Sequence, residues 1–258
     1  MLNFLKQRWL QMQSRLTQRP VHIFMRHCHF SDVSAHKARL PGFSREACFE
    51  NLLSTIAGEN VQLHLLLDTF RPMEGEHFIK KQHQFPITEM RAGSEAAAFL
   101  LMLEYVLKQD LAPDAIVYFL EDDYLHRQGW VSVLREGFTL PGVDYITLYD
   151  HKDKYFFPQY VGLQSKLFQT PSTHWRTTPS TTNTYAMRFA TLQKHIDTHR
   201  AFSLGRKISD DHQKFCQLSS LGATLISPIP GWSTHCEPDY ASPCIDWQEI
   251  LQAITSRK

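Results

Sequence analysis

The sequence AIVYFLEDDYLHRQGW, residues 115–130, contains an apolar run that ends abruptly in three acids. Its first six residues are apolar, and Glu121, Asp122 and Asp123 follow them without a spacer. A continuous apolar run of this length is typical of a strand that is buried on both faces. Three adjacent carboxylates at the end of such a strand repel one another, so the sequence predicts that something positive compensates them.

Two explanations of these acids are open from the residues alone. In the first, Asp123 caps a helix that follows it, and the neighbouring acids interact favourably with the helix dipole. In the second, the carboxylates hold a divalent cation at the carboxyl end of the strand, where open α/β sheets bind their ligands. Oxygen ligands suit Mg²⁺ or Mn²⁺, and these ions usually also bind phosphate oxygens of a substrate. The second explanation therefore predicts a phosphate-bearing substrate.

Strand-like and helix-like segments alternate along the chain. Continuous apolar strands separated by helices predict an α/β fold with a mostly parallel sheet that helices cover on both faces. The sequence shows no internal repeat and no linker that would divide residues 20–258, so it predicts one domain. Strands are predicted at 21–25, 61–67, within 83–88, and at 115–120, 144–149, 182–187 and 223–227, and helices at 44–58, 94–108, 128–137, 209–222 and from 246 onward.

Residues 1–19 differ from the rest of the chain because they are basic and amphipathic. No acid precedes Asp32, and apolar residues recur on one helical stripe. Such a helix either packs on its own domain or rests on an anionic membrane surface. The formal net charge of +1 gives no global field that would favour nucleic acid. The five cysteines show no CxxC spacing, which indicates a reduced, cytoplasmic compartment. Any membrane contact of residues 1–19 would then be with the inner face of the membrane.

The apolar strand that runs into EDD, followed by an aromatic-bearing segment, resembles the metal-binding motif of GT-A glycosyltransferases. Other segments fall in the order that this family shows, across about residues 21–236. A first strand ends at Arg26, a second at Asp68, and a helix headed by Ser94 precedes the EDD strand. A later helix opens on Ser209-Asp210-Asp211, and His235 follows the last strand. The resemblance implies a single GT-A-like, Rossmann-like domain.

The resemblance also implies roles in binding a nucleotide-sugar donor, with a UDP-sugar favoured. Asp123 would coordinate Mn²⁺ or Mg²⁺ that bridges the donor diphosphate, and His235 would complete the metal site. Glu121 and Asp122 would contact the nucleoside or the waters of the metal. Three further residues would belong to the donor site, namely Asp68 at the base, Arg26 near it, and Ser94 at the head of its helix.

The helix that opens on Asp210 and Asp211 corresponds to the place where inverting members of the family carry their catalytic base. Two adjacent carboxylates push the pKa of one of them upward, which suits a group that must accept a proton near neutral pH. The resemblance implies that Asp211 deprotonates the acceptor hydroxyl, with Asp210 beside it. Plain capping of the helix by these acids is the alternative.

The segment 170–184 is rich in serine and threonine and contains His174, Trp175 and Arg176. We interpret it as a functional loop that binds the acceptor through His174, Trp175 and Arg176, in which Trp175 stacks on a sugar ring and the basic side chains meet anionic oxygens. The alternative is a solvent-exposed surface loop that is anchored to the domain by Trp175.

The sequence thus predicts a metal-dependent glycosyltransferase of hexosyl or N-acetylhexosaminyl type that acts with inversion on a glycan or glycolipid acceptor, such as a lipopolysaccharide. Retention of configuration stays open if no base lies opposite the leaving group. Two rivals fit the same residues: a metal-dependent phosphoesterase or hydrolase, and a non-catalytic glycan-binding domain of the same fold. The sequence contains neither GxxxxGK[ST] nor GxGxxG, which disfavours other nucleotide chemistry.

Overall fold

The computed structural model describes residues 19–31, 34–73 and 75–256. The predicted helix over 1–19 lies outside the described residues, except for Arg19. Strands and helices alternate along most of the chain, as the sequence predicts. In chain order the elements are β1 (Val21–Cys28), α1 (Arg45–Ile56), β2 (Val61–Asp68), β3 (Ile87–Met90), α2 (Glu95–Leu107), β4 (Ile116–Glu121), β5 (Tyr124–His126), α3 (Trp130–Gly137), β6 (Tyr145–Ile146), β7 (Leu167–Gln169), β8 (His174–Thr177), β9 (Tyr185–Arg188), α4 (Phe189–Ala201), α5 (Asp211–Ser220), β10 (Leu225–Ile229), β11 (Ser233–His235) and α6 (Trp247–Thr255).

Nine of these strands form one sheet in the order β3-β2-β1-β4-β9-β6-β10-β8-β7. Strands β3, β2, β1 and β4 are parallel neighbours, as are β6 and β10. Among the described residues only β8 and β9 run against the common direction, so the sheet is mostly parallel, as predicted. The chain leaves β1 toward β2 on one side and later returns to β4 on the other. This reversal of strand order opens a crevice at the carboxyl ends of β1 and β4, where α/β sheets bind ligands.

Both faces of the sheet are buried, which explains why β4 is apolar up to Glu121 and why β1 is apolar at most of its positions. On one face Ile23 and Tyr118 belong to a cluster that includes side chains of α1 and α3. On the other face Phe24 and Phe119 pack with side chains of α2, α4 and α5. Because successive side chains of a strand point to opposite faces, a strand covered on both sides needs apolar residues at every position.

The segment after β4 does not continue into a helix. Residues 122–123 form a turn, and β5 then pairs antiparallel with β11, so that Tyr124 lies opposite His235. The next helix begins only at Trp130, and its N-cap is Gly129, whose φ of 87° favours glycine. The explanation in which Asp123 caps a helix is therefore wrong. Pairing with β11 instead brings a distant part of the chain to the three acids.

No helix among the described residues is both long enough and apolar enough to cross a bilayer. The predicted strand within 83–88 forms at Ile87–Met90, and the predicted strand 182–187 forms at Tyr185–Arg188. Strands β7, β8 and β11 were not predicted, because they are short and only partly apolar.

We expect Phe119→Ala to lower the free energy of unfolding by about 3–5 kcal/mol, because the ring is fully buried and the change leaves a cavity between α2 and the sheet. Urea unfolding followed by circular dichroism measures the effect. Leu221→Ala is the control, since Leu221 is 53% exposed and its loss leaves no cavity. A loss below about 1 kcal/mol for Phe119→Ala would contradict the described packing.

Candidate active site

Glu121, the last residue of β4, lies directly across from Arg26 of β1 in the sheet. The Arg26 Nη2 atom donates to Glu121 Oε1 at 3.1 Å, and Thr184 Oγ1 donates to Oε2 at 3.3 Å. Burial raises the pKa of Glu121 to about 7, against the opposing effect of Arg26, and neighbouring carboxylates add to the rise. The parallel pairing of β1 and β4 therefore places a buried acid and a buried arginine at the same edge of the sheet.

Asp122 turns away from Glu121 toward the start of α1. Its Oδ2 accepts a hydrogen bond from the backbone N–H of Cys28 at 3.1 Å and pairs with Arg45 Nε at 3.0 Å. Burial raises the pKa of Asp122, although Arg45 opposes the shift. Arg45 is the first residue of α1, and its position follows from Ser44, which caps that helix. The carboxylate of Asp122 thus ties β1 and α1 to the end of β4.

Asp123 lies against the end of β11 and the loop between β1 and α1. Its Oδ2 is 2.8 Å from His235 Nε2 and 2.9 Å from Arg39 Nη2. Burial alone would raise the pKa of Asp123, but the pairs with His235 and Arg39 outweigh burial and hold the pKa below its ordinary value. The structure therefore brings together Asp123 and His235, the two residues predicted to bind a metal, and adds an arginine that was not predicted.

Each of the three acids consequently has an arginine of its own: Glu121 has Arg26, Asp122 has Arg45, and Asp123 has Arg39. The positive charge that the sequence demands is supplied by the protein. These arginines come from three successive segments: Arg26 from β1, Arg39 from the loop that follows β1, and Arg45 from the start of α1.

A divalent cation does not fit this arrangement as it stands. Mg²⁺ and Mn²⁺ prefer several oxygen ligands, with one or two carboxylates supplied by the protein. Within the described ranges, no group of three or more histidine, cysteine, aspartate or glutamate side chains is placed to hold a metal. Asp123 and His235 offer two ligand atoms, but the same oxygen of Asp123 is bound by Arg39. Binding of Mn²⁺ or Mg²⁺ by this pair stays a prediction.

Asp210 and Asp211 have different roles at the start of α5. Asp210 caps the helix by accepting from the N–H of Gln213 at 3.2 Å, as the alternative explanation expected. Asp211 instead pairs with the fully buried Lys214 at 3.0 Å, one helical turn further on. Burial raises the pKa of Asp211 to about 6, although Lys214 opposes the rise. Asp211 therefore loses its proton just below neutral pH, where a general base is effective.

Glu95 joins the acid cluster at β4 to the start of α5. Its Oε1 accepts from Arg26 at 3.0 Å and from Asn183 Nδ2 at 2.8 Å, and its Oε2 accepts from the N–H of Ser209 at 2.8 Å. Burial would raise the pKa of Glu95, but Arg26 and these hydrogen bonds outweigh it and lower the pKa. Asn183 is also bonded by Lys214. Two of the predicted donor-site residues, Arg26 and Glu121, and the predicted base Asp211 thus belong to one polar network.

Asp68 and Ser94 shape the loops around the site. Asp68, the last residue of β2, accepts hydrogen bonds from the backbone N–H groups of Phe70, Ala92 and Gly93 at 3.0–3.1 Å. Ser94 caps α2 by accepting from the N–H of Ala97. These contacts give both residues a structural task, and their predicted contact with a nucleotide stays a prediction.

A cavity of about 340 Å³ lies at the carboxyl ends of β2 and β3, beside Asp68. Its volume is within the range of small-molecule sites. Most of its lining residues are polar or charged, so it suits a ligand with several hydrogen-bonding atoms. The polar side chains in the lining are His29, Asp68, Thr69, Arg71, Glu76, His77, Lys80 and Glu89.

The predicted acceptor contacts at 174–176 need correction. Trp175 is fully buried, its indole N–H donates to Thr170 at 3.0 Å, and it packs so closely on α3 that a Cβ at Gly137 would lie 2.9 Å from the ring. It therefore has no exposed face for a sugar, because the sheet extends through β8 and covers it. Arg176 is buried as well and pairs with Asp150 at 2.7 Å. His174 is exposed in β8, and its role stays a prediction.

Several residues of the network were missed from the sequence. The spacing of Asp211 and Lys214 at i and i+3 was a usable signal, because such residues are neighbours on a helix. Glu95 follows a helix cap, where an acid is commonplace and points to no site. Arg39 and Arg45 reach the acids only through the fold, and no sequence pattern connects them.

No family model matches the sequence, and no curated protein matches it either. Among solved structures, the chain is similar to a galactosyltransferase, LgtC, in complex with donor and acceptor sugar analogs (9% identity, 92% of this chain and 96% of that chain, TM-score 0.49). It is also similar to a putative nucleotide-diphospho-sugar transferase from Desulfovibrio desulfuricans G20 (9% identity, 81% and 79%, TM-score 0.46). A third is the inositol-1-phosphate CTP transferase from T. maritima (11% identity, 92% and 96%, TM-score 0.47). Because all three TM-scores lie below 0.5, we base nothing further on these similarities.

We expect Arg26→Met to destabilise the protein by about 1–3 kcal/mol at pH 8, because it leaves the partly buried carboxylates of Glu121 and Glu95 without their cation. The raised pKa of Glu121 means that the folded state takes up a proton as the pH falls through about 7. The destabilisation should therefore shrink toward pH 5, where Glu121 is neutral. Urea unfolding at several pH values measures this dependence.

Arg200→Ala is the matched control, since Arg200 pairs with Glu104 on the surface and its removal should cost less than about 1 kcal/mol at either pH. The second variant Glu121→Gln in the Arg26→Met background should recover part of the stability at pH 8. Equal destabilisation by Arg26→Met at pH 5 and pH 8 would show that Arg26 does not compensate the charge of Glu121.

Proposed function

We propose that the chain is a glycosyltransferase that moves a sugar from a nucleotide-diphosphate donor to a hydroxyl group of an acceptor, with inversion at the anomeric carbon. The observation that carries this proposal is the single polar network at the carboxyl edge of the sheet. It connects Asp211, a carboxylate with a pKa of about 6, through Lys214, Asn183 and Glu95 to the pair of Arg26 and Glu121 at the end of β4, beside a cavity.

The donor nucleoside is proposed to occupy the cavity at the ends of β2 and β3. Its polar lining suits the base and ribose, and its volume admits a nucleoside. A UDP-sugar is the favoured donor. The diphosphate would then extend toward the end of β4, since the carboxyl ends of β2, β1 and β4 are neighbours in the sheet.

Asp211 is proposed to act as the base. Its carboxylate accepts the proton of the acceptor hydroxyl as the oxygen forms a bond to the anomeric carbon. The bond from that carbon to the phosphate oxygen breaks at the same time, and the nucleoside diphosphate leaves with the electron pair. Lys214 opposes the rise in the pKa of Asp211, so that the carboxylate is ionised at neutral pH. No step here depends on Mn²⁺ or Mg²⁺.

The acceptor is proposed to be a glycan or glycolipid, because the reaction needs a hydroxyl that can reach Asp211, whose side chain is 24% exposed. A lipopolysaccharide acceptor, a hexosyl or N-acetylhexosaminyl donor, and a cytoplasmic location at the membrane's inner face belong to the same proposal. They follow from the sequence resemblance.

The proposal is tested by incubating the protein with a panel of sugar nucleotides and measuring both thermal stabilisation and release of the nucleoside diphosphate with and without sugar acceptors. Stabilisation by one sugar nucleotide, and acceptor-dependent release, are the expected results. Hydrolysis of generic phosphoesters without an acceptor would instead favour a phosphoesterase. Binding of glycans without any binding of nucleotide would favour a glycan-binding domain.

We expect Asp211→Asn to reduce transfer by at least about 100-fold while donor affinity changes less than about threefold, because general-base catalysis contributes rate and not donor binding. In the wild-type protein the rate should rise with pH up to about 6 and then level off, since only the ionised carboxylate accepts a proton. Asp210→Asn is the matched control, because Asp210 caps the helix and asparagine caps nearly as well. Near-normal turnover by Asp211→Asn would place the base elsewhere.

A further inference from the structure

Arg39 occupies the place at Asp123 where a divalent cation is expected. Its Nη2 is 2.9 Å from Asp123 Oδ2, and its Nη1 is 3.5 Å from His235 Nε2, so the guanidinium faces both predicted metal ligands at once. Those two ligand atoms are themselves only 2.8 Å apart. The group that bridges Asp123 and His235 in this structure is therefore a side chain.

Backbone hydrogen bonds fix the position of Arg39. The N–H of Cys236 donates to the carbonyl of Asp123 at 3.0 Å, and the N–H of Leu40 donates to the carbonyl of Cys236 at 3.2 Å. Three separate segments are thereby held side by side. The guanidinium also lies 4.7 Å from the ring centre of Phe43, a stacking contact that favours one orientation. Arg39 is thus built into the site and is not a loose surface side chain.

The three arginines of the acid cluster differ in what they face. Arg26 is shared between Glu121 and Glu95 and also donates to the carbonyl of Glu95. Arg45 is held by Asp122 and donates to Ser34. The contacts of Arg39 involve two of its three nitrogens, one of them at 3.5 Å, which leaves donor capacity for a further anion. Of the three, Arg39 is the one that faces both predicted metal ligands, Asp123 and His235, where the diphosphate is expected.

We propose that Arg39 is the cation that meets the donor diphosphate, and that nucleoside diphosphates bind this protein without a divalent metal. The inference rests on the proposed function, since it concerns the same donor. A guanidinium binds phosphate oxygens through paired N–H groups, so it can hold the diphosphate and stabilise the charge that develops when it leaves. A divalent cation at Asp123 would lie beside this guanidinium, and the two positive charges would repel each other.

The test measures the affinity of UDP, GDP, CDP and ADP by calorimetry in EDTA and again in MnCl₂. At least one of them should bind in EDTA with a Kd within about threefold of its value in manganese. A Kd in EDTA more than about 100-fold weaker would overturn the inference while leaving the transferase proposal standing. Failure of all four to bind in both conditions would overturn the proposed function as well.

Arg39→Ala should weaken binding in EDTA by at least about tenfold, which is the effect of losing one charge-assisted contact. Arg39→Lys keeps the positive charge but lacks the planar guanidinium, so its Kd in EDTA should lie between those of the wild type and Arg39→Ala. This variant tests the inference even if the alanine variant folds poorly. Arg200→Ala, an arginine of a surface ion pair, is the control and should leave the Kd unchanged. Unchanged affinity of a folded Arg39→Ala protein would overturn the assignment.

Discussion

The ion pairs of Arg26 with Glu121 and Glu95 hold the site together. They sit at the edge of the sheet where β1 and β4 end, and they reach from the sheet to α2 and, through Glu95, to the first residues before α5. A buried guanidinium between two carboxylates is costly unless hydrogen bonds compensate it, and here the carbonyl and carboxylate of Glu95 and the carboxylate of Glu121 accept from its two terminal nitrogens. The position of Asp211, the proposed base, therefore depends on the pairing of β1 with β4.

The three acids after β4 illustrate how one chemical problem has two solutions. Adjacent carboxylates at a strand end need positive charge, and either a metal or arginines can provide it. In this protein each acid turns to a different arginine, so the cluster splits into three separate pairs. Two pairs join secondary-structure elements, whereas the third faces His235. Charge compensation and ligand binding are thus divided among residues that the sequence presents as one motif.

The fold was largely predictable because its signals are local. The apolar runs of β1, β2 and β4 and the serine caps of α1 and α2 identify their elements directly, and their alternation predicts the parallel sheet. Strands β5 and β11 were not predictable, since each is three residues long and is stabilised by the other. The same reason hid Arg39, because its contact with Asp123 exists only when both strands have paired. Trp175 was misread because burial cannot be inferred from a loop-like composition.

The contact between Arg39 and Asp123 affects how the proposed site can bind an anion. Asp123 accepts from both Arg39 and His235, so an anion that draws the guanidinium away would leave the carboxylate with histidine alone. If Arg39 left Asp123 to bind a diphosphate, the carboxylate would lose its cation, which costs free energy. If the guanidinium bound Asp123 and the diphosphate at the same time, both anions would stay compensated. A guanidinium has enough N–H groups to do this, and an ammonium group offers no such planar pair. The chemistry of the side chain thus explains why an arginine, and not a lysine, suits this place in the fold.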